Sequence, residues 1–180
     1  MLLGDLLKFS NKNYRKIQIK GISFDSRKVK KKDIFFAIKG SNTSGVKFIK
    51  QAVSKGASVI VSSQQTKYKK KNIPFILVND VRKSLAEASS NFYKKKPSNI
   101  IAVTGTNGKS SVANFFYQIL SLNKIPVASI GTLGIFFNKK IKKTKLTSMD
   151  SLSLHKNLEI LEKRKINNVI LEASSHGLKQ

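Results

Sequence analysis

Nine consecutive residues, Ala102-Val103-Thr104-Gly105-Thr106-Asn107-Gly108-Lys109-Ser110, place two glycines, an ammonium group and a hydroxyl in one short bend. That is the chemistry needed to hold a chain of phosphates. Gly105 and Gly108 let the backbone turn tightly and approach a phosphate without a Cβ in the way. Lys109 offers a point charge to the β- and γ-phosphates, and the Ser110 hydroxyl is a ligand for Mg²⁺. Where such a bend opens a helix, the first N–H groups have no intrahelical acceptors and sit at the positive end of the helix dipole, so they also take phosphate oxygens. Gly105, Thr106, Asn107, Gly108, Lys109, Ser110 and Ser111 are therefore the candidate site for ATP with Mg²⁺. The loop is shorter than the common phosphate-loop pattern, which wants a glycine where this chain has Val103. The competing reading is an ordinary strand–turn–helix corner with a chance lysine.

The flanking residues supply both elements. Residues 99–103, Asn-Ile-Ile-Ala-Val, read as a buried parallel strand, and Val112, Phe115, Phe116, Ile119 and Leu120 then recur at helical spacing. Upstream, strands are expected at 22–24, 34–38, 58–61 and 73–78. Between them Phe48, Ile49, Ala52 and Val53 form a helical stripe stopped by Gly56, and Val81, Leu85, Ala88 and Phe92 form another, with Asp80 placed to cap it. Lys94-Lys95-Lys96-Pro97 interrupts the pattern and sets a boundary between domains at 1–96 and 97–180. Downstream come a strand at 126–130, a turn at 131–134, and a hairpin pairing 135–137 with 140–145 around Asn138-Lys139. A helix opened by Asp150 then presents Leu154, Leu158 and Leu161, and a strand follows at 169–172. The fold class is α/β: a small N-terminal α/β domain followed by the first part of a P-loop-type parallel-sheet ATPase domain. So few parallel strands do not close a nucleotide-binding sheet, and the chain reads as the N-terminal fragment of a longer protein.

Composition narrows the class. The 180 residues are 40% hydrophobic, enough for real cores. No apolar run is long enough for a spanning helix, so no membrane insertion is expected, and the opening residues are too short and carry Asp5, unlike an export signal. The lack of cysteine excludes disulfides and thiolate metal sites and fits a cytoplasmic location. Thirty-five Lys plus Arg against nine Asp plus Glu give a formal charge of +26. Only Arg15, Arg27, Arg82 and Arg164 are arginines, and the lysines fall in short runs at 30–32, 69–71, 94–96 and 139–143. Base reading and stacking rely on arginine and exposed aromatics, so these runs are read as solvated faces with no specific nucleic-acid partner. A basic module using the phosphate loop for regulation is the alternative from another class.

Four segments resemble the Mur ligases, the ATP-dependent amino-acid ligases of peptidoglycan precursor synthesis, and most closely the type that adds the third residue of the stem peptide. They are Asp25-Ser26-Arg27 with residues 32–40, Thr104 to Ser111, residues 130–134, and residues 171–180, Leu-Glu-Ala-Ser-Ser-His-Gly-Leu-Lys-Gln. Ser110 and Ser111 stand where the family has threonines, and Met149 replaces proline in Thr147-Ser148-Met149-Asp150. Ser41-Asn42-Thr43 takes the place of His-Gln-Ala found in some members. The resemblance implies an N-terminal domain for the uridine nucleotide. It implies an acyl phosphate made at the expense of ATP, with UDP-MurNAc-dipeptide and an amino acid as substrates. On that basis Lys109, Glu172 and His176 are candidate catalytic residues, and Ser110 and Glu172 candidate Mg²⁺ contacts. Phe24, Ser26, Thr147, Ser148, Ser174 and Gln180 are candidate substrate contacts. The competing reading of Glu172 is a polar strand end, and that of His176 a structural histidine. His155, beside Lys156 on a helix, is expected to be exposed. A folate-polyglutamate-type ligase or another Mur type shares the ATP loop and is disfavoured by Asp25-Ser26-Arg27 and Ser174-Ser175-His176.

Overall fold

The computed structural model describes residues 1–8, 11–40, 43–66, 68, 72–138, 140–142 and 149–174. The chain forms two compact units, Met1–Phe92 and Tyr93–Gln180.

In the first unit a short helix, α1 (Leu3–Leu6), precedes β1 (Gly21–Ser23), β2 (Asp33–Phe36), α2 (Ile49–Ser54), β3 (Ala57–Ser62), β4 (Phe75–Leu77) and α3 (Val81–Phe92). The strands form one wholly parallel sheet in the order β1-β2-β3-β4. Strands covered on both faces read as continuous apolar runs, and β2 is buried at every position. Alternation along β2 sends Phe35 to one face, where it joins Ile49, Ala52, Val53 and Ile60 in a core; Ile34 and Phe36, also buried, take the other. The stripe on α2 is therefore the helical side of that core. Its stop is Gly56, which holds φ at +104° and whose added Cβ would lie 2.9 Å from Lys31 Cα. Asp80 caps α3 as expected, accepting from the N–H groups of Arg82 and Lys83 at 2.8 and 3.0 Å. Near the end of α3, Asn91 Nδ2 donates to Leu6 O at 3.0 Å and ties α1 to the unit. The strand expected at 73–78 is shorter, because β4 pairs with β3 only over Phe75 to Leu77.

The second unit runs β5 (Asn99–Val103), α4 (Lys109–Leu122), β6 (Val127–Gly131), β7 (Gly134–Phe137), β8 (Lys140–Lys142), α5 (Ser151–Lys163) and β9 (Asn168–Glu172). Its sheet order is β5-β9-β6-β7-β8, with the first three strands parallel and the last two antiparallel. The core lies under α5, where Leu158, Leu161 and Ile166 meet Ala128, Ile130 and Val169. Asp150 caps that helix, accepting from Ser153 N at 2.8 Å.

Three expectations need correction here. β5 is parallel but not buried: it is an edge strand, and Ile101 is 42% exposed. The helix α4 forms where its spacing puts it, yet Phe115 and Ile119 stand about three-fifths exposed and only Ala113 is fully buried. Burial of an apolar stripe depends on what covers it, and among the described residues nothing covers this one. His155 is half-buried rather than exposed, and among the described residues its buried Nδ1 finds no hydrogen-bond partner. The hairpin at Asn138 forms with β8 over Lys140–Lys142; the rest of its expected strand lies outside the described residues.

Candidate functional site

The site in the second unit is assembled by strand register. β9 lies between β5 and β6, pairing Val103 with Glu172 on one side and Ile130 with Leu171 on the other. Glu172 therefore ends its strand beside the start of the loop 104–108 and next to Gly131. Ligands of open parallel sheets sit at this carboxyl edge. The loop itself, residues 104–108, is exposed throughout. Gly105 and Gly108 hold φ at +148° and +80°; a Cβ on Gly108 would meet nothing within 4 Å, so open space faces the backbone there. Gly108 is the N-cap of α4 and contributes no side-chain cap, which leaves the helix start to an incoming anion. Lys109 folds back over the loop, its ammonium donating to the carbonyls of Gly105 and Thr106, the latter at 3.2 Å.

Two hydroxyls converge on one carboxylate oxygen. Ser110 Oγ donates to Glu172 Oε2 at 2.8 Å, and Thr132 Oγ1 donates to the same atom at 3.0 Å. Neither donor is cationic, and among the described residues no ion pair reaches Glu172. Gly131 makes room for this carboxyl group: a Cβ there would fall 2.6 Å from Glu172 Cγ and closer still to the carboxylate. Ser110 Oγ and Glu172 Oε2 are hard oxygen donors, and neighbouring ligands of an octahedral ion at 2.0–2.1 Å lie about 2.9 Å apart. Their 2.8 Å separation fits such an ion. Among the described residues no three His, Cys, Asp or Glu side chains cluster as a metal cage. A cation that keeps several waters and binds chiefly through phosphates does not require one.

Of the other residues singled out from sequence, Ser174 is half-buried just beyond β9. Thr147, Ser148, His176 and Gln180 lie outside the described residues. Thr132 and Gly131 were missed as site residues because both sit in what reads as an ordinary turn.

In the first unit, a cleft at the carboxyl end of β1 is lined by Phe24, Ser26, Arg27, Thr43, Phe48 and Gln51. Phe24 is exposed at its mouth, whereas Ser26 is buried and donates its hydroxyl to Gln51 Oε1 at 2.6 Å. Arg27 grips Asp25 with two nitrogens, Nε to Oδ1 at 2.9 Å and Nη2 to Oδ2 at 3.0 Å. That guanidinium holds the Asp25 carboxyl below its usual value.

A glycine-hinged loop that enters a helix beside a strand-ending carboxylate, on a parallel sheet, defines the phosphate-loop class of α/β proteins. Within that class the chain belongs to the Mur ligase family. Residues 18–93 match "Mur ligase family, catalytic domain", and residues 103–180 match "Mur ligase middle domain". A Rickettsia montanensis protein named UDP-N-acetylmuramoyl-L-alanyl-D-glutamate--2,6-diaminopimelate ligase is 46% identical over 174 residues, covering 93% of this chain and 35% of the relative. The protein of the same name from Rhizobium meliloti (strain 1021) is 42% identical over 164 residues, or 91% of this chain and 34% of the relative. A solved structure of a ligase of that name superposes with a TM-score of 0.83 at 28% identity, over 99% of this chain and 37% of the other. The MurF ligase of Thermotoga maritima, solved in complex with ADP, shares the fold at a TM-score of 0.58 and 24% identity, over 87% of this chain and 32% of its own. The chain thus spans about a third of the length of the curated relatives it matches.

Proposed function

We propose that this chain supplies the uridine-nucleotide and ATP-binding portions of a ligase that adds the third amino acid to UDP-MurNAc-L-Ala-D-Glu. The relatives' names support 2,6-diaminopimelate as that amino acid. The domains divide the work: residues 1–96 take the UDP end of the substrate at the Phe24–Gln51 cleft, and residues 97–180 take ATP at the glycine loop. ATP use and a UDP-linked precursor both belong to the cytoplasm.

The reaction joins a carboxylate to an amine. A carboxylate is a poor electrophile, so a carboxylate oxygen of the dipeptide first attacks the γ-phosphorus and ADP leaves. The amine then adds to the acyl phosphate carbon, loses a proton, and expels phosphate. Little covalent chemistry falls to the protein, whose contribution is positioning and charge neutralisation. Lys109 exchanges its loop carbonyls for phosphate oxygens, and the first N–H groups of α4 cradle the same phosphates. Ser110 and Glu172 would hold Mg²⁺, which fits their two hard oxygens and supplies charge neutralisation for the transferred phosphoryl group. His176 is proposed as a catalytic residue, and Thr147, Ser148, Ser174 and Gln180 as substrate contacts, on the strength of the family resemblance alone.

The observation that carries this reading is the 2.8 Å approach of Ser110 Oγ to Glu172 Oε2 beside an open glycine loop. Calorimetric titration of these 180 residues with Mg·ATP, and separately with UDP-MurNAc-dipeptide, tests it. Binding of each without ligation is expected from a chain that spans a third of its relatives. No heat with either ligand overturns the reading.

A further inference from the structure

We infer that Thr132 is a positioning residue for the metal-bearing carboxylate, so that the β6–β7 turn sets how tightly the site holds its divalent cation. This inference rests on the Mg·ATP reading of the glycine loop and deepens it.

Thr132 is the first residue of a two-residue connection between β6 and β7, which close on each other through the Gly131–Gly134 pair. The connection does not need a hydroxyl: the ladder and the two flanking glycines make the turn. Thr132 is exposed, so no core packing selects its side chain either. Yet its Oγ1 donates to Glu172 Oε2 at 3.0 Å, across 40 residues of sequence and onto the neighbouring strand β9. The other donor to that oxygen, Ser110, stands on α4 and is itself a prospective ligand.

The two donors differ in what a cation does to them. A hydroxyl oxygen that ligates a cation turns a lone pair toward it, and the Ser110 bond to Glu172 is then no longer free to set the carboxylate's rotamer. The Thr132 bond comes from the β6–β7 turn rather than from α4, and it remains to orient the carboxylate when Ser110 turns to the cation. The rest of the carboxyl group lies in the space that Gly131 leaves open, where a Cβ would collide with Glu172. Thr132 therefore holds Glu172 from the turn, in the room left by Gly131, while Ser110 presents the cation from the helix. Partners of this kind fix the orientation of a ligating carboxylate and are worth roughly 10- to 100-fold in metal affinity.

The test uses the 180-residue chain, with ATP binding measured by calorimetry across a Mg²⁺ series and in EDTA. Thr132→Val keeps the shape of the side chain and removes its donor. It is expected to raise the Mg²⁺ concentration for half-maximal ATP binding by about 10-fold or more. Affinity in EDTA should stay unchanged, and Thr132→Ser should restore the Mg²⁺ dependence to within about twofold. Binding of Mn²⁺ followed by its electron paramagnetic resonance signal should weaken in parallel, which a merely structural role at the turn would not produce. If the unsubstituted chain binds Mg·ATP while Thr132→Val leaves the Mg²⁺ dependence unmoved, this inference fails and the proposed function stands. If Thr132→Val weakens binding equally with and without Mg²⁺, the role is structural and the inference fails. Absence of Mg·ATP binding by the unsubstituted chain overturns both.

Discussion

Ser110 and Glu172 lie 62 residues apart in the chain, and the hydroxyl of one donates to the carboxylate of the other at 2.8 Å. Strand order makes the contact: β9 pairs alongside β5, so the end of one parallel strand arrives beside the helix that follows the other. Replacing Glu172 by Gln preserves size and an acceptor oxygen but removes the charge. Hydrogen bonds to charged groups are worth about 1.5–3 kcal/mol, so Glu172→Gln should lower Mg·ATP affinity roughly 10- to 100-fold. ATP affinity in EDTA should hold or improve, because a like charge near the phosphates has gone. Isothermal titration in both conditions checks this, and equal losses in the two would remove Glu172 from the metal.

Gly131 is the quieter member of the same arrangement. With a Cβ it would press on Glu172 Cγ at 2.6 Å, and because the Glu172 backbone is paired with Val103 in the β5–β9 ladder, it is the side chain that must move aside. Gly131→Ala is therefore expected to displace the carboxylate and lose Mg²⁺-dependent nucleotide binding while circular dichroism shows the fold retained. Full Mg·ATP affinity in this variant would show that the carboxylate position is not critical.

How much of this was legible follows from the range of the forces involved. The bounds of β5, the Asp80 cap on α3 and the Gly56 stop on α2 are decided by neighbours within a few residues, and the sequence pattern placed them. The glycine loop is equally local. The juxtaposition of Thr132, Gly131 and Glu172 is not, because it depends on β9 entering between β5 and β6, which no periodicity records. Exposure of Ile101 and Phe115 escaped for a related reason: a pattern shows that a face is apolar, not that another element lies on it. His155 was misread because one neighbouring lysine suggested solvent, whereas its burial is set by the packing of the unit around α5.

Gly56 and Gly108 separate stability from function. Both hold positive φ, but a Cβ on Gly56 falls 2.9 Å from the Lys31 backbone, whereas one on Gly108 enters open space. Gly56→Ala combines strain with a clash and is expected to cost about 2–3 kcal/mol, against about 1 kcal/mol for Gly108→Ala. Urea unfolding followed by circular dichroism measures the difference. Nucleotide binding should rank the two in reverse, since the space in front of Gly108 is where the phosphates are proposed to lie. A Gly108→Ala protein with unchanged ATP affinity would move the phosphates elsewhere.

His155 makes the second unit sensitive to mild acid. Burial, and then the charge of Lys96, lower its pKa from the ordinary value of 6.5. A folded-state pKa below the unfolded one means that, between the two, the unfolded chain binds a proton that the folded chain refuses. Stability is then fully present above about pH 6.5 and is lost as pH falls through that window. His155→Leu abolishes this loss and also removes a buried Nδ1 that finds no partner among the described residues. The melting temperature of the variant relative to the parent protein should therefore be at least equal at pH 8 and rise progressively from pH 7 to pH 5.5. A difference that stays constant across that range would show that His155 titrates alike in the folded and unfolded chain.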